Sequence, residues 1–193
     1  HVDREHAERV EADALALLEQ VAVDWKLEDE GAARALSWAA LLHEIGIDIA
    51  HGHFHKHGAY VIENADLPGF PDRERELVAT VARYHRRSLP GRDRRDLEAL
   101  SAAELGLVRK LVALLRVADA LDRSHQQPVR SLRAALRRGT VELRLAARGP
   151  LELELWDAAR EARFFQRVFS RRLVLVPPRR FLPSPRSAAT MGR

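Results

Sequence analysis

The sequence predicts a mainly α fold: a helical bundle over residues 1–127, followed by a small α+β cap over residues 128–176. Three observations carry this expectation. Apolar residues recur every three or four positions through successive segments before residue 127, the spacing of one helix face. After His125-Gln126-Gln127-Pro128 the period falls to two, as in Val141, Leu143 and Leu145, which suits a strand with one buried face. The 193 residues are 46% hydrophobic and 31% charged, enough for a core and without an apolar run near the roughly 20 residues of a membrane helix.

Each element has its own local reason. Residues 3–22 read as a helix capped by Asp3, with His6, Val10, Ala14, Leu17 and Val21 on one stripe. A second helix over 29–44 turns Leu36, Ala39 or Ala40, and His43 to one side, and Gly46 is expected to end it. Residues 47–56 form a loop rich in His and Gly, in which His51, His53 and His55 read as solvated. A short helix over 55–65 aligns His57, Val61 and Ala65, and the Pro68-Gly69 pair then marks a turn. The helix over 72–86 carries Val78, Val81 and His85, and an Arg-rich loop follows. Ser101-Ala102-Ala103-Glu104 is a capping box that opens a long helix whose stripe runs Leu105, Val108, Val112, Leu115, Asp119 and Asp122. Asp119 stands where a leucine is expected. Two strands, 129–136 and 140–147, meet at Arg138-Gly139-Thr140. Residues 151–169 alternate at Leu151, Leu153 and Leu155 but turn helical through Phe165, Val168 and Phe169. Residues 173–176 form a last strand, and the proline-rich stretch 177–193 reads as a mobile tail.

Composition narrows the functional classes. The absence of Cys rules out disulfides, Cys-ligated zinc and iron–sulfur clusters, and fits a reducing, cytoplasmic setting. No signal-peptide layout and no membrane span are present. The chain opens on His1 without an initiator Met, so it is expected to be a piece of a longer protein. Its net charge of +4 is unevenly spread: residues 1–66 carry 14 acids and 5 bases, and the rest carry 14 acids and 27 bases. Of the 32 cations 29 are Arg, an excess explained first by overall composition. Arg83, Arg86, Arg87, Arg92, Arg94 and Arg95 against Asp93 alone are a local cluster suited to a polyanion, because the guanidinium fork matches phosphate. No aromatic residue interleaves this run as single-strand stacking requires, so nucleic acid is not the expected partner.

His6, His43 with Glu44, His57, His85 and Asp119 each fall on or beside a face expected to be buried. Burying so many isolated polar groups is costly, and the cost falls if they meet. Four imidazoles and two carboxylates are a ligand set for one or two divalent ions such as Mn, Fe or Mg. The residues alone leave open the plainer alternative of separately satisfied core histidines.

His6-Ala7-Glu8-Arg9-Val10, Leu42-His43-Glu44-Ile45-Gly46, His57, His85 and Arg116-Val117-Ala118-Asp119-Ala120-Leu121-Asp122 resemble the motif series of HD-domain metal-dependent phosphohydrolases. More specifically, His55-Lys56-His57-Gly58-Ala59-Tyr60, Asn64-Ala65-Asp66-Leu67-Pro68-Gly69-Phe70 and Arg83-Tyr84-His85-Arg86-Arg87 look like the C-terminal domain of the exopolyphosphatase and guanosine pentaphosphate phosphohydrolase (Ppx/GppA) family. The likeness runs from about residue 3 to residue 176.

The resemblance implies an HD-like helical bundle that binds or hydrolyses polyphosphate or guanosine polyphosphate. It implies a divalent metal on His6, His43, Glu44, His57, His85 and Asp119, with Glu44 as ligand or general base. It also implies phosphate contacts from Arg83, Arg86, Arg87 and Lys56, and a homodimer. In that family the phosphatase chemistry belongs to an actin-like domain with glycine-rich phosphate loops, which this sequence lacks. A non-catalytic polyphosphate-binding and dimerisation module is therefore the alternative. Glu44 departs from the HD pattern, which has Asp at that position.

Overall fold

The computed structural model describes residues 3–66, 69–87, 89–91 and 95–178. Six helices and a three-stranded sheet give the mainly α fold with a small α+β part. The helices are α1 (Arg4–Trp25), α2 (Glu30–Leu42), α3 (Phe54–Asn64), α4 (Asp72–Tyr84), α5 (Ala102–Ala120) and α6 (Glu152–Phe169), and the strands are β1 (Val129–Arg137), β2 (Thr140–Ala147) and β3 (Arg172–Val176). Short 3₁₀ turns lie at Ile45–Asp48 and Arg95–Leu97. Arg92 and Arg94 of the Arg-rich loop, and most of the proline-rich tail, lie outside the described residues.

Local chemistry accounts for the helix starts. Asp3 accepts from the His6 backbone nitrogen, Asp29 accepts from that of Gly31, and Ser101 with Glu104 closes the capping box on α5. Helix α5 is central. From Leu111 to Ala118 every residue of α5 is buried, because α1, α2, α4 and α6 all pack against it. Arg116 apart, this stretch is apolar all round, as befits the middle of a bundle. Only at Asp119 does this column open to partial exposure.

Three sequence expectations shift. First, α2 stops at Leu42, so His43 and Glu44 leave the helix and the chain tightens into the 3₁₀ turn. Gly46 lies inside that turn and matters for close approach: a Cβ there would stand 2.0 Å from the Phe54 carbonyl oxygen and 2.4 Å from the Gly58 nitrogen. Secondly, α3 buries Phe54, His55, Gly58, Ala59 and Ile62 and leaves His57 half-buried. Contact between Gly46 and Gly58 sets this rotation, with the bulky Phe54 and Ile62 turned inward. Thirdly, Leu151, Leu153 and Leu155 belong to the start of α6 and not to a strand; Leu153 is exposed while Glu154 is buried and accepts from the Ser124 backbone nitrogen.

The C-terminal part is a β1–β2 hairpin turning at Arg138 and Gly139, where φ of +78° suits glycine. β3 then pairs parallel to β2 after the α6 crossover. One hydrophobic cluster runs through both regions, with Val129, Val141, Leu143 and Phe165 joined to Leu17, Leu36 and Leu114. Helix α6 is thereby laid against α5, beside Asp119. Among the described residues no helix is long and apolar enough to cross a membrane.

The Gly46 contact is testable. Both obstructing atoms are backbone, so Gly46→Ala is expected to lower the unfolding free energy by about 1–3 kcal/mol or more. Gly106→Ala, on α5 with open space around it, is expected to be stabilising by up to about 1 kcal/mol. Matching urea midpoints for the two variants would contradict this account.

Candidate metal centre and phosphate cavity

Four helix ends converge. His6 lies in the first turn of α1, His43 directly after α2, His85 directly after α4, and Asp119 in the last turn of α5. The outer nitrogen of each imidazole is engaged: Nδ1 of His43 is 2.6 Å from the Ala40 carbonyl, and Nδ1 of His85 is 2.6 Å from the Ala82 carbonyl. A carbonyl only accepts, so Nδ1 carries a proton, and in the neutral ring the lone pair is on Nε2. Nδ1 of His6 lies 2.9 Å from Asp122, whose other oxygen accepts from the Gln127 backbone nitrogen. Histidines that ligate metals are held in this way, by a carbonyl or carboxylate on the far nitrogen.

The inner nitrogens face one carboxylate. Nε2 of His6 and of His43 are buried and have no hydrogen-bond partner, and Oδ1 of Asp119 lies 3.4 Å and 3.7 Å from them. Leaving such atoms unpaired is expensive. Donors at 2.0–2.2 Å from one ion sit roughly 3–3.5 Å from one another, so the trio fits a divalent ion with nitrogen and oxygen ligands. A second group, His6, Glu44 and His125, also brings one ligand atom each within 4.8 Å of the others. The His125 ring stacks on His6 at 3.8 Å, and its Nδ1 lies 3.0 Å from Asp3.

The electrostatics favour a cation. Burial alone would lower the His6 pKa, yet the carboxylates of Asp119 and Asp122 push it up to about 10. Burial likewise opposes ionisation of Asp119, but His43 and His6 hold its carboxyl well below the usual range. Deeper in, burial and then the neighbouring His43 push His85 down to about 3. Burial and then the Arg86 guanidinium push His55 down to about 4.

Of the residues expected to bind metal, His6, His43 and Asp119 come together, Glu44 lies beside His6, and His85 meets His43 with ring centroids 5.0 Å apart. His57 does not join them. The buried imidazole on α3 is His55, with its ring 6.4 Å from His85 and Nδ1 unpartnered, which corrects its reading as a solvated loop residue. Asp122 and His125 were not singled out as site residues. Asp122 lay on the same helical stripe as Asp119, whereas nothing local marked His125.

Beside the cluster a cavity of about 210 Å³ opens between α4, α5 and α6; its lining includes Glu44, His85, Arg86, Arg87 and Asp119. Arg86 and Arg87, two of the four residues expected to contact phosphate, line this cavity. Arg83 does not line it, because it pairs with Asp96 at 2.8 Å, and Lys56 is exposed elsewhere on α3. Arg116, Arg123 and Arg160 supply guanidinium groups that the sequence reading did not select.

A pH dependence follows from the buried neutral imidazoles. His85 and His55 have folded pKa values below the ordinary 6.5, so their contribution is present above about pH 6.5 and is lost as pH falls towards their folded values. Metal-free protein in chelator should lose stability over that window, and His85→Gln should flatten the loss in denaturant titrations. An identical slope in the variant would remove His85 from this role.

Residues 1–154 match the family described as Ppx/GppA phosphatase, domain III. The chain is 34% identical over 129 residues to a guanosine-5'-triphosphate,3'-diphosphate pyrophosphatase of Pseudoalteromonas translucida (strain TAC 125), covering 67% of this chain and 25% of that protein. It is also 34% identical over 116 residues to the protein of the same name from Aeromonas salmonicida (strain A449), covering 60% of this chain and 22% of that one. The chain thus spans about a quarter of the length of the curated relatives it matches. The family match takes in α1 to α5, every residue of the histidine–aspartate cluster and the start of α6, and by it the chain belongs to the Ppx/GppA phosphatase family.

Proposed function

We propose that this domain is an HD-type phosphohydrolase module that holds a divalent metal on His6, His43 and Asp119 and acts on the phosphoanhydride or phosphoester bonds of a guanosine polyphosphate or of polyphosphate. The carrying observation is the pair of buried, unpartnered Nε2 atoms facing Asp119 next to a guanidinium-lined cavity. The names of the curated relatives favour guanosine polyphosphate as the substrate class.

The chain's own residues have separable tasks. Asp122 orients His6 through Nδ1, and the Ala40 and Ala82 carbonyls orient His43 and His85. Arg86 neutralises phosphate charge in the cavity, where a preorganised cation is worth more than in water. The Glu44 carboxylate, beside both the cluster and the cavity, accepts a proton from the attacking water. The ion, when bound, supplies Lewis acidity towards phosphoryl oxygen and water.

A second reading, binding without turnover, draws on Arg116: its guanidinium is already engaged by Glu161 through Nε at 2.6 Å and Nη2 at 3.1 Å. Metal content and turnover separate the two. Elemental analysis and Mn²⁺ titration should show stoichiometric uptake that is lost in His6→Ala and Asp119→Ala. Since the metal-free His6 pKa is about 10, uptake should release about one proton, and affinity should rise by about tenfold per pH unit between roughly pH 7 and 8. Phosphate release from guanosine polyphosphate or polyphosphate should require the metal and fall at least about a hundredfold in Glu44→Gln. Metal uptake without turnover would favour the binding module; no uptake at all would remove the metal site.

A further inference from the structure

Arg86, Arg116, Arg123 and Arg160, four of the guanidinium groups of the cavity, are not equivalent. Arg116 forms the paired contact with Glu161, and its side chain is 9% exposed. Arg123 and Arg160 share one carboxylate: Nε of Arg123 is 3.7 Å from one oxygen of Asp157, and Nη1 of Arg160 is 3.4 Å from the other. Arg86 differs from all three. Its guanidinium lies over the Phe54 ring, 4.6 Å from the centroid, and among the described residues no carboxylate is within ion-pair distance of it. Burial, and then the neighbouring Arg123, lower the Arg86 pKa from its usual value, the mark of a cation in need of a counter-charge.

Size and charge define what fits. The cavity's 210 Å³ falls below the roughly 300–1,000 Å³ of pockets that enclose drug-sized ligands, and its wall is built mainly of charged side chains. That volume suits phosphoryl groups and is too small to enclose a nucleoside as well. A phosphate presents several acceptor oxygens on a compact centre, so it can engage the free fork of Arg86 and replace the two oxygens that Asp157 offers to Arg123 and Arg160. Asp157 and Arg160 belong to α6, outside the residues that the sequence singled out.

We propose that this cavity is an end-binding subsite for the terminal phosphoryl groups of a phosphoanhydride, held by Arg86, Arg123 and Arg160. Asp157 occupies the phosphate position in the free protein, and any nucleoside or further phosphate chain stays outside. The choice of ligand rests on the phosphoanhydride reading above, but binding here does not depend on the metal. The subsite therefore recognises a chain end and not a base, and serves the ends of inorganic polyphosphate and of nucleoside polyphosphates alike.

The test is calorimetric titration of the full chain with inorganic pyrophosphate, first in excess chelator and then with Mn²⁺. Saturable one-to-one binding is expected in chelator, weakening with salt. Arg86→Ala should weaken it by about tenfold or more, and Arg160→Ala, at an exposed position that leaves the fold intact, should weaken it by a smaller factor. Asp157→Asn should tighten it, by up to about fivefold, because the internal competitor loses its charge. Tripolyphosphate and guanosine tetraphosphate should compete equally well, and guanosine should not compete. Absence of pyrophosphate binding, indifference to all three substitutions, or weaker binding in Asp157→Asn overturns the proposal, as does competition by guanosine. Pyrophosphate binding without Mn²⁺ uptake would leave the subsite standing and remove the metal site; Mn²⁺ uptake without pyrophosphate binding would do the reverse.

Discussion

Nδ1 of His6 and the Asp122 carboxylate meet 2.9 Å apart, both side chains fully buried and separated by 116 positions in the chain. Neither group can enter a core alone without losing hydration it cannot recover. Together they fasten the first turn of α1 to the turn that follows α5. The same carboxylate accepts from the backbone of Gln127, so the loop carrying His125 is shaped by the contact that orients His6. The left-handed backbone at His125 and Gln127, φ of +56° and +47°, is held in place there. The His6 imidazole, the His125 imidazole stacked on it and the entrance to the β-hairpin thus depend on one buried pair.

From that pair the polar groups follow in order. Asp122 leaves Nε2 of His6 directed at Asp119, Asp119 faces His43, and His43 packs on His85, which packs on His55. The run begins beside carboxylates that favour positive charge and ends among arginines that oppose it. This gradient explains why His6 is pushed up and His55 down, although both are buried histidines. It also separates the carboxylate end of the run, at Asp119 and Asp122, from the end where the guanidinium groups gather.

The small α+β part has a role that its own sequence does not display. Its hairpin and β3 share the hydrophobic cluster of the bundle, and this packing lays α6 along α5. Asp157, Arg160 and Glu161 then form a wall of the cavity whose other side is Arg86 and Arg87. Asp157, between Arg123 and Arg160, balances part of the positive charge on that wall.

Much was determined by the sequence alone. Helix starts were legible because Asp3, Asp29 and Ser101 with Glu104 act within one turn, and the strands because Val141, Leu143 and Leu145 alternate. The polar interruptions His6, His43, His85 and Asp119 were legible because each fell on an apolar stripe, and the family likeness added the stretches 55–60, 64–70 and 83–87. What the tertiary structure decided is rotation and partnership. His55 replaced His57 at the cluster because Gly46 and Gly58 let two backbones approach, a contact between segments that no helical wheel contains. Arg83 went to Asp96 and Arg160 entered the cavity because α4 and α6 take their facing from docking against α5, and Arg123 joined them from the turn after α5. Periodicity records which side of a helix is apolar, whereas the identity of the groups that meet there is set by packing between segments distant in the chain.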